Sequence, residues 1–171
     1  MNRSENGSIN LNNILQDALN PSTVYLRRGG TEYRKHDKVM QIKNNYDKNA
    51  FNGDIGIIKA IDLENKSLSV DYDGHAVEYE ISELDELALS YAVTIHKSQG
   101  SEYPIVIVPL TMEFHIMLQR NLLYTAITRA KKAVIIVGSK QALECAVKNA
   151  DVTKRNTGLV QRLRLFGNGR L

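Results

Sequence analysis

The stretch YAVTIHKSQGSEYPIVIVPL, residues 91–110, sets two β-rich apolar runs, 91–95 and 105–110, on either side of the polar loop HKSQGSEYP. A connector between buried strands needs only a glycine or an asparagine to turn. This one carries His96, Lys97, Ser98, Gln99, Gly100 and Glu102. Near-continuous apolar strands belong to a parallel sheet covered on both faces, and polar ligands of such sheets bind at loops beyond the carboxyl ends of the strands. The loop is therefore the first place to look for function.

Working outward, EFHIMLQRNLLYTAITRAKK, residues 113–132, is predicted to be one long helix. AVIIVG, residues 133–138, reads as a third apolar strand, and the segment after it as a helix that Ser139 caps. Upstream, Ile9, Leu11, Ile14, Leu15, Ala18 and Leu19 form a helical apolar stripe that stops before Pro21. Residues 37–81 change period to short β-rich runs, with turn signals at Asn52-Gly53, at residues 64–66 and at Asp73-Gly74. Four or five antiparallel strands in so short a span predict a small barrel. Residues 82–89, SELDELAL, lead out of it as a helical turn. The expected architecture is an α/β domain of residues 1–37 and 89–171, interrupted by a β-barrel at residues 38–88.

The chain has 171 residues, 43% hydrophobic and 24% charged, the composition of a globular protein. No apolar run approaches the roughly 20 residues that cross a bilayer, and the polar N-terminus lacks the regions of a signal peptide. Cys145 is the only cysteine, which excludes an internal disulfide and a cysteine metal cluster. The four histidines are not at metal-ligand spacing. No metal site and no membrane partner are expected, and a reducing cytoplasm fits. Charge is uneven: residues 47–86 hold eleven acids against three lysines, a net of −8 in a chain of net +3, so the remainder is strongly basic. A basic body suits a polyanion.

A second concentration of chemistry is YTAITRAKK, residues 124–132. Arg129, held by a helix end ahead of a strand, can aim a guanidinium at a phosphate and match it bidentately. A helix ending in Arg and Lys also has plain dipole chemistry, which is the reading for Lys131 and Lys132.

Together, TIHKSQGSE, the apolar strand and helix after it, and LLYTAITRAKK before VIIVG resemble motifs V and VI of superfamily 1 DNA helicases. The pattern is most similar to the RecD-like branch, the exodeoxyribonuclease V alpha-subunit family. DKVMQIKNNYDKNAFNGDIGII resembles the entry of that branch into an SH3-like barrel, and INLNNILQDALNP and RNTGLVQRLR also fit it. The resemblance implies a second RecA-like domain, P-loop NTPase-like but lacking the P-loop, with helices on both faces of its parallel sheet and the SH3-like barrel inserted. No G-x-x-x-x-G-K-[ST] loop occurs here, and no acidic pair follows an apolar strand. The chain is thus expected to be the C-terminal motor piece of an ATP-dependent 5′-to-3′ helicase of recombination and repair, inactive alone.

The resemblance assigns Arg129 as arginine finger and ATP contact, with Gly100 and Glu102 also at ATP. Thr94 and His96 fall at DNA, and Lys97, Ser98 and Gln99 between the two ligands. ATP and Mg²⁺ would serve the full-length enzyme, with none bound to this piece. Implied partners are single-stranded DNA, the N-terminal RecA-like domain of the same protein, and nuclease and helicase subunits of an exodeoxyribonuclease V complex. Taken singly, His96 also reads as a structural histidine and Glu102 as a solvated carboxylate. Two other classes stay open: a non-enzymatic nucleic-acid-binding adaptor with a degenerate core, and the C-terminal part of a conjugative relaxase-helicase. The acidic barrel repels a phosphate backbone overall, so its DNA contacts would come from Lys43, Asn44, Asn45 and Lys48. A structural clamp over DNA suits it better than peptide binding.

Overall fold

The computed structural model describes residues 7–150 together with residues 158, 163 and 164. Most of RNTGLVQRLR lies outside the described residues. The chain divides into two compact units, residues 1–106 with 125–134, and residues 107–124 with 135–171.

The first unit begins with helix α1 (Ser8–Leu19) and a hairpin of β1 (Tyr25–Arg28) and β2 (Thr31–Arg34). Gly29 and Gly30, at φ 56° and 85°, make its two-residue turn between the paired Arg28 and Thr31. Both central positions of such a turn need the left-handed region, where glycine has no Cβ to clash. Five strands follow: β3 (Lys38–Gln41), β4 (Ile55–Asp62), β5 (Ser67–Tyr72), β6 (His75–Glu80) and β7 (Leu87–Leu89). They form one antiparallel sheet in the order β6-β5-β4-β3-β7. Alternate side chains of these strands, among them Val39, Ile58, Leu68, Val70, Val77 and Tyr79, point to one shared core. A register shift between Ile58 and Ala60 bends β4 around that core. Leu84, on the 3₁₀ segment Ile81–Glu86, is fully buried against it. The antiparallel strands expected between residues 37 and 81 are present. Asp73 and Gly74 turn β5 into β6, both at positive φ.

Beyond the loop come β8 (Tyr103–Leu110), a 3₁₀ segment Met112–Met117, α2 (Arg120–Ile127), β9 (Ala130–Gly138) and α3 (Lys140–Lys148). β8 and β9 form a two-stranded sheet. Tyr103 N donates to Arg129 O at one end and Ser139 N to Leu110 O at the other, so the strands run parallel. In the second unit, Arg120 N donates to Asn149 O and Asn149 Nδ2 to Leu118 O, joining α2 to the end of α3. Ser139 caps α3 by accepting from Ala142 N, as expected. None of the helices among the described residues is long and apolar enough to cross a membrane.

Three expectations are corrected. Residues 91–95 are not a strand; the last strand before the loop is β7, which pairs with β3 in the antiparallel sheet. The backbone of Ala92 instead bonds a side chain, Asn12, with both its N–H and its C=O. The long helix of residues 113–132 is broken: Phe114 is non-helical, Leu118 leaves the helical region at ψ 79°, and Lys131 and Lys132 lie on β9. The dipole reading of those two lysines therefore fails. Lastly, the apolar stripe of α1 is not its buried face. Ile9, Ile14 and Leu19 are exposed, and Asn12 and Gln16 are buried.

Candidate functional site

Every sequence-predicted site residue lies in the first unit. Residues 95–100 form a tight polar turn. Ser98 N donates to Thr94 O at 3.1 Å, Gln99 N to His96 O, and Ser101 N to Ser98 O. Thr94 Oγ1 accepts from Lys97 N at 3.4 Å, in the manner of a cap on a short helical turn. Ser98 is buried and its hydroxyl donates to Ile95 O at 2.8 Å, so this serine holds the turn from within. Its neighbours His96, Lys97 and Gln99 stand out into solvent. Gly100 reverses the chain at φ 85°, and a Cβ there would meet nothing within 4 Å. The backbone is open to close approach by a ligand at that point.

The turn's far end meets Arg129. Its NH1 donates to Ser101 O at 3.3 Å, its Nε to Thr125 O at 3.3 Å, and its NH2 to Thr128 Oγ1 at 3.4 Å. The end of α2 and the start of β8 thus hold the guanidinium between Gly100 and Glu102 in sequence. All three contacts are long, and a guanidinium has five N–H donors, so donors remain for an anion. Glu102 is exposed and paired with Lys131 Nζ at 3.1 Å through Oε2, which leaves Oε1 as an acceptor. The exposed pair itself adds little to stability. Arg129, Gly100 and Glu102 are therefore brought together, while Thr94 and His96 lie at the other end of the turn. A recess of about 330 Å³ opens there, with Ser8, Asn13, Thr31, Thr94 and Lys97 in its walls.

Residues not anticipated from the sequence fix where this turn begins. Asp37 is fully buried and accepts from Gln16 Nε2, from Asn20 Nδ2 at 2.7 Å, from Arg34 N at 2.7 Å and from Tyr91 OH at 2.8 Å. Burial, and then the bond to Asp37, push the Tyr91 phenol up to about 12. The available signal was the i, i+4, i+8 spacing of Asn12, Gln16 and Asn20, which puts three amides on one helix face.

A model described as the ATP-dependent RecD-like DNA helicase SH3 domain matches residues 11–72. A model of the UvrD-like helicase C-terminal domain matches residues 89–137. The chain is 40% identical over 92% of its length to the ATP-dependent RecD2 DNA helicase of Deinococcus radiodurans, of which it covers 22%. It is 36% identical over 75% of its length to the RecBCD enzyme subunit RecD of Mycolicibacterium smegmatis, again covering 22% of that protein. The chain thus spans about a fifth of the length of these relatives. Among solved structures, a Bacteroides Pif1 helicase in complex with ADP-AlF3 and ssDNA superposes over 95% of this chain and 44% of its own, at a TM-score of 0.62 and 17% identity. That likeness carries the RecA-like α/β fold.

Proposed function

The chain belongs to the RecD-like DNA helicases, and on that premise we propose that it forms the second motor domain and the SH3-like barrel of an ATP-dependent 5′-to-3′ DNA helicase. The observation that carries the reading is the single short turn with Arg129 at one end and Thr94 and His96 at the other. ATP lies against Gly100, Glu102 and Arg129, and the DNA strand against Thr94 and His96. The open backbone of Gly100, the spare donors of Arg129 and the free Oε1 of Glu102 suit a nucleotide's phosphates and ribose. ATP with Mg²⁺ supplies the bond that is broken. Arg129 neutralises charge that develops on the phosphoryl group, and Glu102 accepts from the ribose hydroxyls. Lys97, Ser98 and Gln99 lie between the two ligands, so a shift of the turn on nucleotide closure moves the DNA contacts. The phosphate loop and its metal-binding acid belong to the N-terminal RecA-like domain, so this stretch alone hydrolyses no ATP. The intact protein works on single-stranded DNA in the cytoplasm, in recombination and repair, with nuclease and helicase subunits of an exodeoxyribonuclease V complex as its partners.

The test is made in the intact protein. Arg129→Ala lowers DNA-stimulated hydrolysis by about 10³-fold or more and leaves single-strand affinity nearly unchanged. His96→Ala weakens single-strand binding by about 1 kcal/mol and spares hydrolysis without DNA. If His96→Ala instead abolishes basal turnover and spares DNA affinity, the two ends of the turn are assigned the wrong way round.

A further inference from the structure

Helix α1 carries Asn12 and Gln16 on one face, one turn apart, with Asn20 at its C-cap, and this row meets backbone and Asp37 rather than core. Asn12 treats the peptide of Ala92 as a neighbouring strand would: its Oδ1 accepts from Ala92 N at 3.0 Å and its Nδ2 donates to Ala92 O at 2.8 Å. Gln16 Nε2 donates to Glu32 O and to Asp37, and Asn20 Nδ2 donates to Lys35 O and to Asp37. Asp37 in turn takes the hydroxyl of Tyr91, the residue before Ala92, while its backbone O accepts from Ile58 N of β4 and its backbone N donates to Arg34 O of β2. A polar row bonded at each step in this way is rigid and geometrically specific, because leaving a buried member unpaired is costly.

We propose that this amide row is a positioning element for the 94–100 turn, with Asn12 as its terminal contact. Asn12 holds the peptide two residues ahead of Thr94, and Gln16, Asn20 and Tyr91 tie that point to Asp37 at the root of β3. A displacement of the barrel is thereby passed to the turn, and a displacement of the turn to the barrel. This deepens the proposed function and rests on it: the row sets how strongly bound single strand alters nucleotide turnover, without touching either ligand.

Asn12→Leu, which removes both bonds to Ala92, tests this, beside Asn12→Asp, which keeps the acceptor and loses the donor. In this chain, backbone hydrogen exchange at Ala92 and Ser98 is expected to accelerate about tenfold or more in Asn12→Leu, while Val70 in the barrel core keeps its wild-type rate. In the intact protein, the ratio of DNA-stimulated to unstimulated turnover falls about tenfold, with unstimulated turnover and the KM for ATP within about twofold of wild type. Asn12→Asp shows the same pattern, weaker. If Asn12→Leu does not fold, Tyr91→Phe, which removes one bond to Asp37, carries the same comparison. Equal acceleration at Val70 and Ala92 overturns the proposal, since the row is then only part of the fold. So does a faster-exchanging turn with an unchanged stimulation ratio. A wild-type intact protein without DNA-stimulated turnover sinks the proposed function instead, and the exchange measurement then decides by itself whether Asn12 holds the turn.

Discussion

Asp37 is a carboxylate buried completely and held by dipoles: two amide groups, a phenol and a backbone N–H. Removing it strands those donors in a place water does not reach, so Asp37→Ala is expected to cost about 3 kcal/mol, read as a fall in the urea midpoint. Four of the eight tyrosines make the complementary point about protons. Tyr33 bonds Leu84 O and Leu87 O, and burial pushes it up to about 12; Tyr91 is likewise up to about 12, and burial raises Tyr72 and Tyr79, whose hydroxyls meet at 3.0 Å beside Gln41. A phenol with a folded pKa above its unfolded value of 10.0 keeps a proton that the unfolded chain releases. The stability linked to these groups is therefore whole below about pH 10 and is lost as pH rises toward 12. In an absorbance titration Tyr33, Tyr72, Tyr79 and Tyr91 are expected to ionise only with a cooperative unfolding step. A smooth single titration of all eight would contradict it.

At the scale of elements, the end of β9 and the start of α3 invite direct tests. Ser139→Ala removes the side-chain acceptor for Ala142 N and is expected to lower stability by about 1 kcal/mol. Gly138 sits at φ 153°, where a Cβ would fall on Leu110 O, so Gly138→Ala is expected to disrupt the pairing of β8 with β9 at that end, seen as faster exchange of the Ser139 amide. Such positions also show what could be read beforehand. The strands of the antiparallel sheet, its Asp73-Gly74 turn and the Ser139 cap were legible because each follows from residues a few places apart. The glycine-paired hairpin of β1 and β2 was equally local and was missed. Arg129 was legible as a rigid guanidinium, but its neighbour Ser101 lies 28 residues away in sequence. The buried face of α1 was hidden for the same reason. Amides at Asn12 and Gln16 look solvent-facing until their partners, 80 and 21 residues distant, are in place. Residues 91–95 have strand-like composition, yet the Asn12 side chain occupies the groups at Ala92 that a neighbouring strand would need.

For the whole molecule, the acidic stretch of residues 47–86 is less bare than its net charge of −8 implies: Lys48 meets Glu83, Lys59 meets Asp71, and Arg28 from the hairpin meets Asp85. Pairs that water reaches, such as Arg28 with Asp85, are screened by salt, so moderate salt is expected to change the melting temperature little. The strand pair is another matter. Ile105 and Ile107 on β8, and Ile135, Ile136 and Val137 on β9, stand well exposed, and among the described residues β8 and β9 have no partner strand beyond each other. AVIIVG is uncharged, β-branched and free of proline, which is the composition that templates aggregation when an edge is left open. The chain on its own is therefore a colloidally fragile object: its scattering should grow steeply with concentration, and Ile136→Lys should suppress that growth while leaving exchange rates in the five-stranded sheet untouched. The strand that makes a good wall inside a larger protein makes a poor surface in a test tube.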